Sequence, residues 1–292
     1  MIGEMTDEMD TDKTKKNRIQ VTLTPAESKK LISLALLEKE NFKNALRSGT
    51  IVIHPSSTTY FLYELLTGKS PEIWVCGVIV PQGTCINEAM LPEISEISKF
   101  SQFWVFRKGK LVESPPVDSL VEELDKGDVY VKAANAVDNE GNAGVLIGAP
   151  DAKGTAGRFM ESKRNFDTII PVGLEKLIPS AEEATKANPK KLKYSMGMPV
   201  YFRKLEGEVV TEIEAFRILF NSKAYPIACG GLSGAEGSVT LVVESERAEK
   251  IEEIKDFVLG IKGATIPPIK TPECPCSWKT CFPYDAKLIL RR

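Results

Sequence analysis

Four stretches of the chain carry side chains capable of chemistry at short spacing. The first is His54-Pro55-Ser56-Ser57-Thr58-Thr59, directly after the apolar run Ile51-Val52-Ile53 and directly before a helical pattern. Free backbone N–H groups at a helix start, joined by hydroxyls, make a pocket for a phosphate or carboxylate. Ser and Thr are also ordinary N-caps, and one is enough for that role. Four in a row exceed it, so Ser56, Ser57, Thr58 and Thr59 are anion-binding candidates. His54 is the single histidine of the chain. Its ordinary pKa lies near neutrality, which makes it a candidate general acid or base. The competing reading is a histidine simply hydrogen-bonded at a strand end.

The second stretch runs from Asp128 through Lys132, Asn135 and Asp138 to the turn Glu140-Gly141-Asn142. Polar side chains beyond a strand's carboxyl end stand where open α/β sheets hold ligands. Asn, Asp and Gly also build turns for backbone reasons alone. The third, Lys153-Gly154-Thr155-Ala156-Gly157-Arg158, pairs glycines that allow close backbone approach with two cations that neutralise an anion. It is neither a Walker A loop nor GxGxxG, so no nucleotide is assigned and any cofactor is left open. The fourth holds Cys274, Cys276 and Cys281. Three thiols could ligate zinc or a cluster, form a disulfide, or stay reduced in a proline-shaped turn. Separately, Gly230 to Gly237 contains four glycines and either covers a ligand or closes a hairpin.

These segments need a scaffold. Thr24-Pro25 reads as an N-cap and first helical residue, opening a helix expected to reach about Arg47 and stop near Gly49. Ile51–Ile53 is an unbroken apolar run, expected as a strand inside the sheet. Thr58 to Leu66 is helical and stops at Gly68. Trp74 to Pro81 reads as a second buried strand, and Phe103 to Val112 as an edge hairpin. A helix over 115–126, strands over 128–133 and 144–147, a helix over 154–163 and a strand over 168–172 complete an alternation that implies a mostly parallel sheet. Lysines at 186, 190, 191 and 193 around Asn188-Pro189 mark a linker. Beyond it, strand 208–210, helix 212–221, strands 226–230 and 239–243, helix 246–259 and a closing strand at 264–266 give a ferredoxin-like order.

The expected organisation is a disordered tail over 1–17, an α/β parallel-sheet domain over 18–184, and a smaller α+β ferredoxin-like domain over 194–266. A Pro/Cys-rich C-terminal tail over 267–292 packs back on one of them. Balanced charge, 38 Lys+Arg against 40 Asp+Glu, argues against a nucleic-acid partner. The longest apolar run, Ile73 to Pro81, is about half of a bilayer span, so no membrane partner is expected. Six cysteines without framework spacing fit a reducing, cytoplasmic setting.

The strand–Ser-Ser-Thr-Thr–helix segment resembles an element of the fold shared by ribose-phosphate isomerases, glucosamine-phosphate deaminases and coenzyme A transferases. Ala134-Asn135-Ala136-Val137-Asp138, then Gly141 and Ile147-Gly148, resembles that fold's second strand-end motif, in the version of methylthioribose-phosphate isomerases and translation-initiation exchange-factor subunits. Ile169-Ile170-Pro171-Val172-Gly173 falls where the fold has its next parallel strand, so the resemblance covers about residues 48–178. It implies a sugar phosphate or coenzyme A-like ligand. The isomerases' acid–base aspartate is matched here by Asn135, and an earlier acid by Lys132; an amide takes up no proton at neutral pH. Asp138 is then the preferred replacement acid, ahead of Glu175.

The leading expectation is therefore binding of a small anionic metabolite at the strand ends, by an isomerase- or transferase-like enzyme or a relative without catalysis. Two alternatives stand beside it: a regulatory ligand sensor pairing as a homo-oligomer through its second domain, and a metal or redox protein acting through the C-terminal cysteines.

Overall fold

Apolar runs of three or four residues, such as Ile51–Ile53, Val129–Val131 and Ile169–Val172, have no polar face to turn outward and must be covered on both sides. In the computed structural model, which describes residues 17–71, 77–81, 83–86, 103–148, 154–162, 164–187 and 192–269, these runs lie side by side. A six-stranded sheet has the order β12 (Glu208–Val210), β10 (Asp167–Pro171), β7 (Val129–Val131), β2 (Thr50–Ile53), β5 (Trp104–Arg107), β6 (Lys110–Val112). The first four are parallel to one another, and β5 and β6 turn antiparallel as the expected edge hairpin. β2 sits inside the sheet, with Ile51, Val52 and Ile53 fully buried.

One side of this sheet is covered by α1 (Pro25–Glu38), α3 (Thr59–Thr67) and α7 (Glu212–Phe220), around Leu31, Ile53, Leu62, Val131 and Phe216. Thr24 caps α1 through a capping box with Glu27, as the sequence implies. The helix does not run on to Arg47: Lys39 is extended, and α2 (Glu40–Ser48) starts afresh. α3 stops at Gly68, whose φ of 70° is the left-handed conformation glycine adopts without a Cβ penalty. The other side is covered by α4 (Val117–Glu123) and α5 (Gly154–Met160), around Val52, Leu120, Tyr130 and Phe159.

Several expectations are corrected. Residues 77–80 do not form a buried strand of the main sheet. They are β3 (Gly77–Val80) of a separate hairpin with β4 (Gly83–Ile86), and Ile79 is 67% exposed. β9 (Ala143–Ile147) also leaves the main sheet, lying antiparallel between β8 (Ala136–Val137) and β11 (Tyr201–Lys204). The strand expected to open the second domain, Glu208–Val210, is instead the parallel edge strand β12 of the main sheet, because Val209 and Val210 extend the apolar surface of β10.

The smaller sheet has the order β1 (Asn17–Leu23), β14 (Val239–Ser245), β13 (Lys223–Cys229), all antiparallel. Its third strand therefore comes from the amino-terminal side of the chain. Residues 264–266 form no strand, so the expected four-stranded ferredoxin-like order is not what these strands make. Residue 17, placed in the expected tail, opens β1, where Ile19, Val21 and Leu23 alternate inward. α8 (Ala248–Ile261) covers this sheet, and one apolar core runs unbroken from Val21 and Leu31 to Phe216, Leu241 and Ile254. The 185–193 segment thus separates no two cores. Residues 1–16 and 270–292 lie outside the described residues, and with them most of both expected tails.

Candidate functional site

The parallel strands β2, β7, β10 and β12 all deliver their carboxyl ends to one rim of the sheet, the rim at which open α/β folds hold ligands. Side-chain alternation then sorts the residues at each strand end. Ile51, Ile53, Val129 and Val131 point into the core under α1, whereas Val52 and Tyr130 point toward α5. The next alternating residues, His54 and Lys132, belong on the α5 side.

On that side, the His54 amide donates to Val131 O (2.9 Å), binding the end of β2 to the end of β7. Its Nδ1 is 3.2 Å from Tyr130 Oη, and its ring meets Phe103 edge-on at 5.0 Å. Tyr130 stacks in turn on Phe159 at 4.0 Å. Burial among these rings, reinforced by the positive charge of Lys132, holds the imidazole pKa well below its ordinary value, so His54 is neutral. Burial likewise pushes the Tyr130 phenol well up. The pair is a fixed, uncharged hydrogen-bonding unit beside a cationic lysine.

The hydroxyl turn serves the backbone first. Ser56 Oγ accepts from the Thr59 amide (3.1 Å), and Thr59 Oγ1 donates to His54 O (2.9 Å). Together they fasten the start of α3 to the end of β2. Ser57 is half-buried in the same turn, and the Thr58 hydroxyl is buried with no hydrogen-bond partner among the described residues. Asn135 is committed elsewhere: its Oδ1 accepts from the Leu146 amide (3.0 Å), tying down the β9 segment. Gly154 opens α5 with φ 53°. Arg158 points its guanidinium to Asp118 (3.0 Å) across the exposed α4–α5 surface. Lys153 and the thiols Cys274, Cys276 and Cys281 lie outside the described residues. Among those described, no three His, Cys, Asp or Glu side chains form a metal-binding group.

Asp138 is not placed as a general acid. Its carboxylate accepts from the backbone amides of Glu140 (3.0 Å), Asn142 (2.8 Å) and Ala181 (3.0 Å), and from Asn142 Nδ2 (3.1 Å). Burial alone would raise its pKa, but the N–H groups of Ala181, Asn142 and Glu140 outweigh that and hold it below the usual range. An acid fixed in its ionised form by four donors has no proton to give and no free oxygen for a substrate. Its role is to pin the 138–142 turn against the start of α6 (Ala181–Lys186).

The α1 side of the same rim holds a charge cluster that residue spacing does not announce. Lys29 Nζ, on α1, lies 3.3 Å from Glu175 Oε1, in the 3-10 turn Leu174–Lys176 after β10. The adjoining Lys176 reaches back, and its Nζ donates to Ala134 O (2.9 Å). Glu212, after β12, is fully buried and accepts from the Leu174 amide (3.0 Å). Burial pushes the Glu212 carboxyl up to about 7, helped by the nearby Glu175 charge. Burial pulls the Lys176 ammonium down to about 8. The Glu175 carboxylate fills the space a side chain on Gly173 would need. Lys29, Lys176 and Glu212 went unnoticed in the sequence because they come from distant segments. The one available signal was charged residues inside otherwise apolar helix and strand-end patterns.

At the opposite rim an open cleft of about 660 Å³ is lined by Asn41, Arg164, Asp167, Arg203 and Glu208. Its charges are largely paired within the protein, Lys39 with Glu208 (2.6 Å) and Arg203 with Glu161 (3.0 Å). No helix among the described residues is long and apolar enough to cross a membrane.

The chain matches no family model, no curated protein and no solved structure. What it does has to be argued from its own geometry.

Proposed function

We propose that this chain binds a small anionic metabolite at the carboxyl ends of β2 and β7, in a site bounded by His54, Lys132 and the Ser56–Thr59 turn. The supporting observation is the pairing, at the ends of adjacent parallel strands, of Lys132 with a histidine held neutral by burial and by that lysine's charge, its Nδ1 3.2 Å from Tyr130 Oη. Lys132 supplies charge for a phosphate or carboxylate, and the neutral imidazole supplies a hydrogen-bonding group that does not compete for that charge. The resemblance to the isomerase and transferase fold favours a sugar phosphate or a coenzyme A-like molecule. With Asp138 engaged by four donors, the site lacks the acid expected for isomerisation, and binding is the function it supports best.

Thermal melting with inorganic phosphate, a series of sugar phosphates and acyl-coenzyme A tests this. A ligand at one hundred times its Kd adds about 2.7 kcal/mol to stability. For a chain of this size that is a rise of roughly 4–5 °C in Tm. Lys132→Ala should remove most of that rise. No rise with any of the compounds, or a rise that Lys132→Ala leaves intact, overturns the assignment.

A further inference from the structure

The small sheet ends in two edge strands, and only one of them is guarded. β13 carries Pro226, which has no N–H to offer, and its register slips at a bulge between Pro226 and Ala228. Both devices keep an edge from pairing with another chain. β1 has neither: all seven of its residues pair in unbroken register with β14. Thr22 and Thr240 bring their hydroxyls to 2.9 Å, the close approach of a pair that exchanges no backbone hydrogen bonds. Thr22 O accordingly turns outward, where it accepts from Lys262 Nζ (3.2 Å). By alternation the N–H and C=O of Arg18 and Gln20 also face outward, and among the described residues nothing bonds to them.

The helix packed on this strand exposes a matching flank. α8 runs alongside β1 in the same direction: Asn17 Nδ2 donates to Glu246 O (3.5 Å) just before the helix, and Lys262 just after it reaches Thr22. One side of α8 turns to α7, where Phe257 meets Phe220 at 5.1 Å. The side that leads to Lys262 carries Ile251, Lys255 and Leu259 at helical spacing. Leu259 is 63% exposed there. Lys255 is already paired with Glu252 and Asp256 of its own helix.

We propose that β1 is the docking edge for a second copy of this chain, the two strands pairing antiparallel about a twofold axis at Ile19. Arg18 of each copy then exchanges backbone hydrogen bonds with Gln20 of the other, using the outward groups and leaving Thr22 to Lys262. The two Ile19 side chains meet at the axis, a β-branched pair on the helix side of a continuous six-stranded sheet. A twofold contact has to be complementary to itself. This one is, because Arg18 is paired with Glu244 (2.5 Å) and Lys262 with Glu27 (2.6 Å) inside each copy, so no unpaired like charges oppose one another. At about 1.5 Å per helical residue against about 3.4 Å per strand residue, Lys255 lies level with Ile19. The same axis therefore brings Leu259 level with Ile251 of the second copy and covers the exposed leucine. The contact lies on the small sheet and is independent of the anion site at His54 and Lys132.

Sedimentation equilibrium of the full chain across the micromolar range tests this. The wild type should reach twice the mass of one chain. Leu259→Glu alters a side chain exposed in the single copy, and Gln20→Pro removes one outward N–H at an edge that tolerates proline. Each should weaken the dimer about tenfold or more, with the circular dichroism spectrum unchanged. Ile19→Cys should link two copies on mild oxidation, since a non-hydrogen-bonded pair sets its Cα atoms about 4.5 Å apart, within disulfide reach. Peptide mass spectrometry should find position 19 joined to position 19, whereas Arg18→Cys, offset by two residues across the axis, should give no such link. A wild type that stays monomeric throughout, as when its own residues 1–16 cover the edge, overturns the proposal. So does a dimer left unweakened by Leu259→Glu or by a folded Gln20→Pro, or an Ile19→Cys chain that forms no link at that position. If Gln20→Pro does not fold, the other two variants decide.

Discussion

Replacing Asp138 by Asn separates a structural carboxylate from a ligand-binding one. The two side chains have nearly the same shape, so packing is preserved and only charge and one acceptor change. In the native turn, Oδ1 accepts from the amides of Glu140 and Asn142, and Oδ2 from the amide of Ala181 and from Asn142 Nδ2. An asparagine can keep its oxygen toward the first pair, but its amino group then faces the Ala181 N–H, donor against donor. Leaving that buried donor unsatisfied costs about 1–3 kcal/mol, and the remaining bonds lose charge assistance of about 0.5–1 kcal/mol. The expected loss is about 3 kcal/mol, a fall in Tm of roughly 5 °C at this chain length. The folded-state pKa of Asp138 is depressed, so its contribution is present above the unfolded value near 4 and is lost as pH falls through the folded value. The gap between wild type and Asp138→Asn should therefore close in acid, below about pH 4. Thermal melting from pH 7 down to pH 3 measures both effects, and ligand-induced shifts should survive in the variant. An unchanged Tm together with a lost ligand shift would refute this reasoning and return Asp138 to the binding site.

Two further outcomes concern the α1-side cluster. The Glu212 carboxyl is raised to about 7 in the fold, so the native state holds a proton that the unfolded chain releases above about pH 4.5. Its contribution is full below that pH and falls as pH rises through about 7; Glu212→Gln should flatten this decline in melting between pH 5 and 7, and an identical slope would contradict it. Gly173→Ala has an ordinary backbone at φ −79°, yet its Cβ would run into Glu175 Oε2. The carboxylate must swing away from Lys29, at a cost of about 1–2 kcal/mol that should vanish when Glu175 is already Ala. Equal costs in both backgrounds would show that the glycine is needed for something else.

The parts of the fold set by local rules were legible in the sequence. The Thr24 cap, the strand at 50–53, the stop at Gly68 and the hairpin at 103–112 each depend on neighbours within a few residues. What failed was long-range. Nothing in Glu208–Val210 itself says whether its partner is β10 or a strand further on, and the acidic and basic residues before it concealed the alternation of Ile19, Val21 and Leu23 in β1. The site divided the same way. That strand ends would carry it came from the α/β pattern, and His54 and Lys132 do share a rim. Asp138 misled because Asp-x-x-Gly-Asn signals a turn as strongly as a catalytic acid, and here the turn claims every oxygen. Glu175 is instead held in an ion pair with Lys29, next to Glu212, and both of these neighbours come from distant segments.

The pairing of β1 with β14 bears on how the chain is made. Among the described residues, Asn17–Leu23 pairs only with Val239–Ser245. At about 5–20 residues per second, the ribosome exposes the first strand some tens of seconds before the second exists. Through that interval Val21 and Leu23, both buried in the finished protein, have no strand to pair with, while the contacts among β2, β7 and β10 are already available. Synthesis therefore favours assembly of the large sheet first and closure of the small one last. A circular permutant that places residues 17–23 directly after α8 would remove the wait, and should gain yield in synthesis far more than it gains in melting temperature.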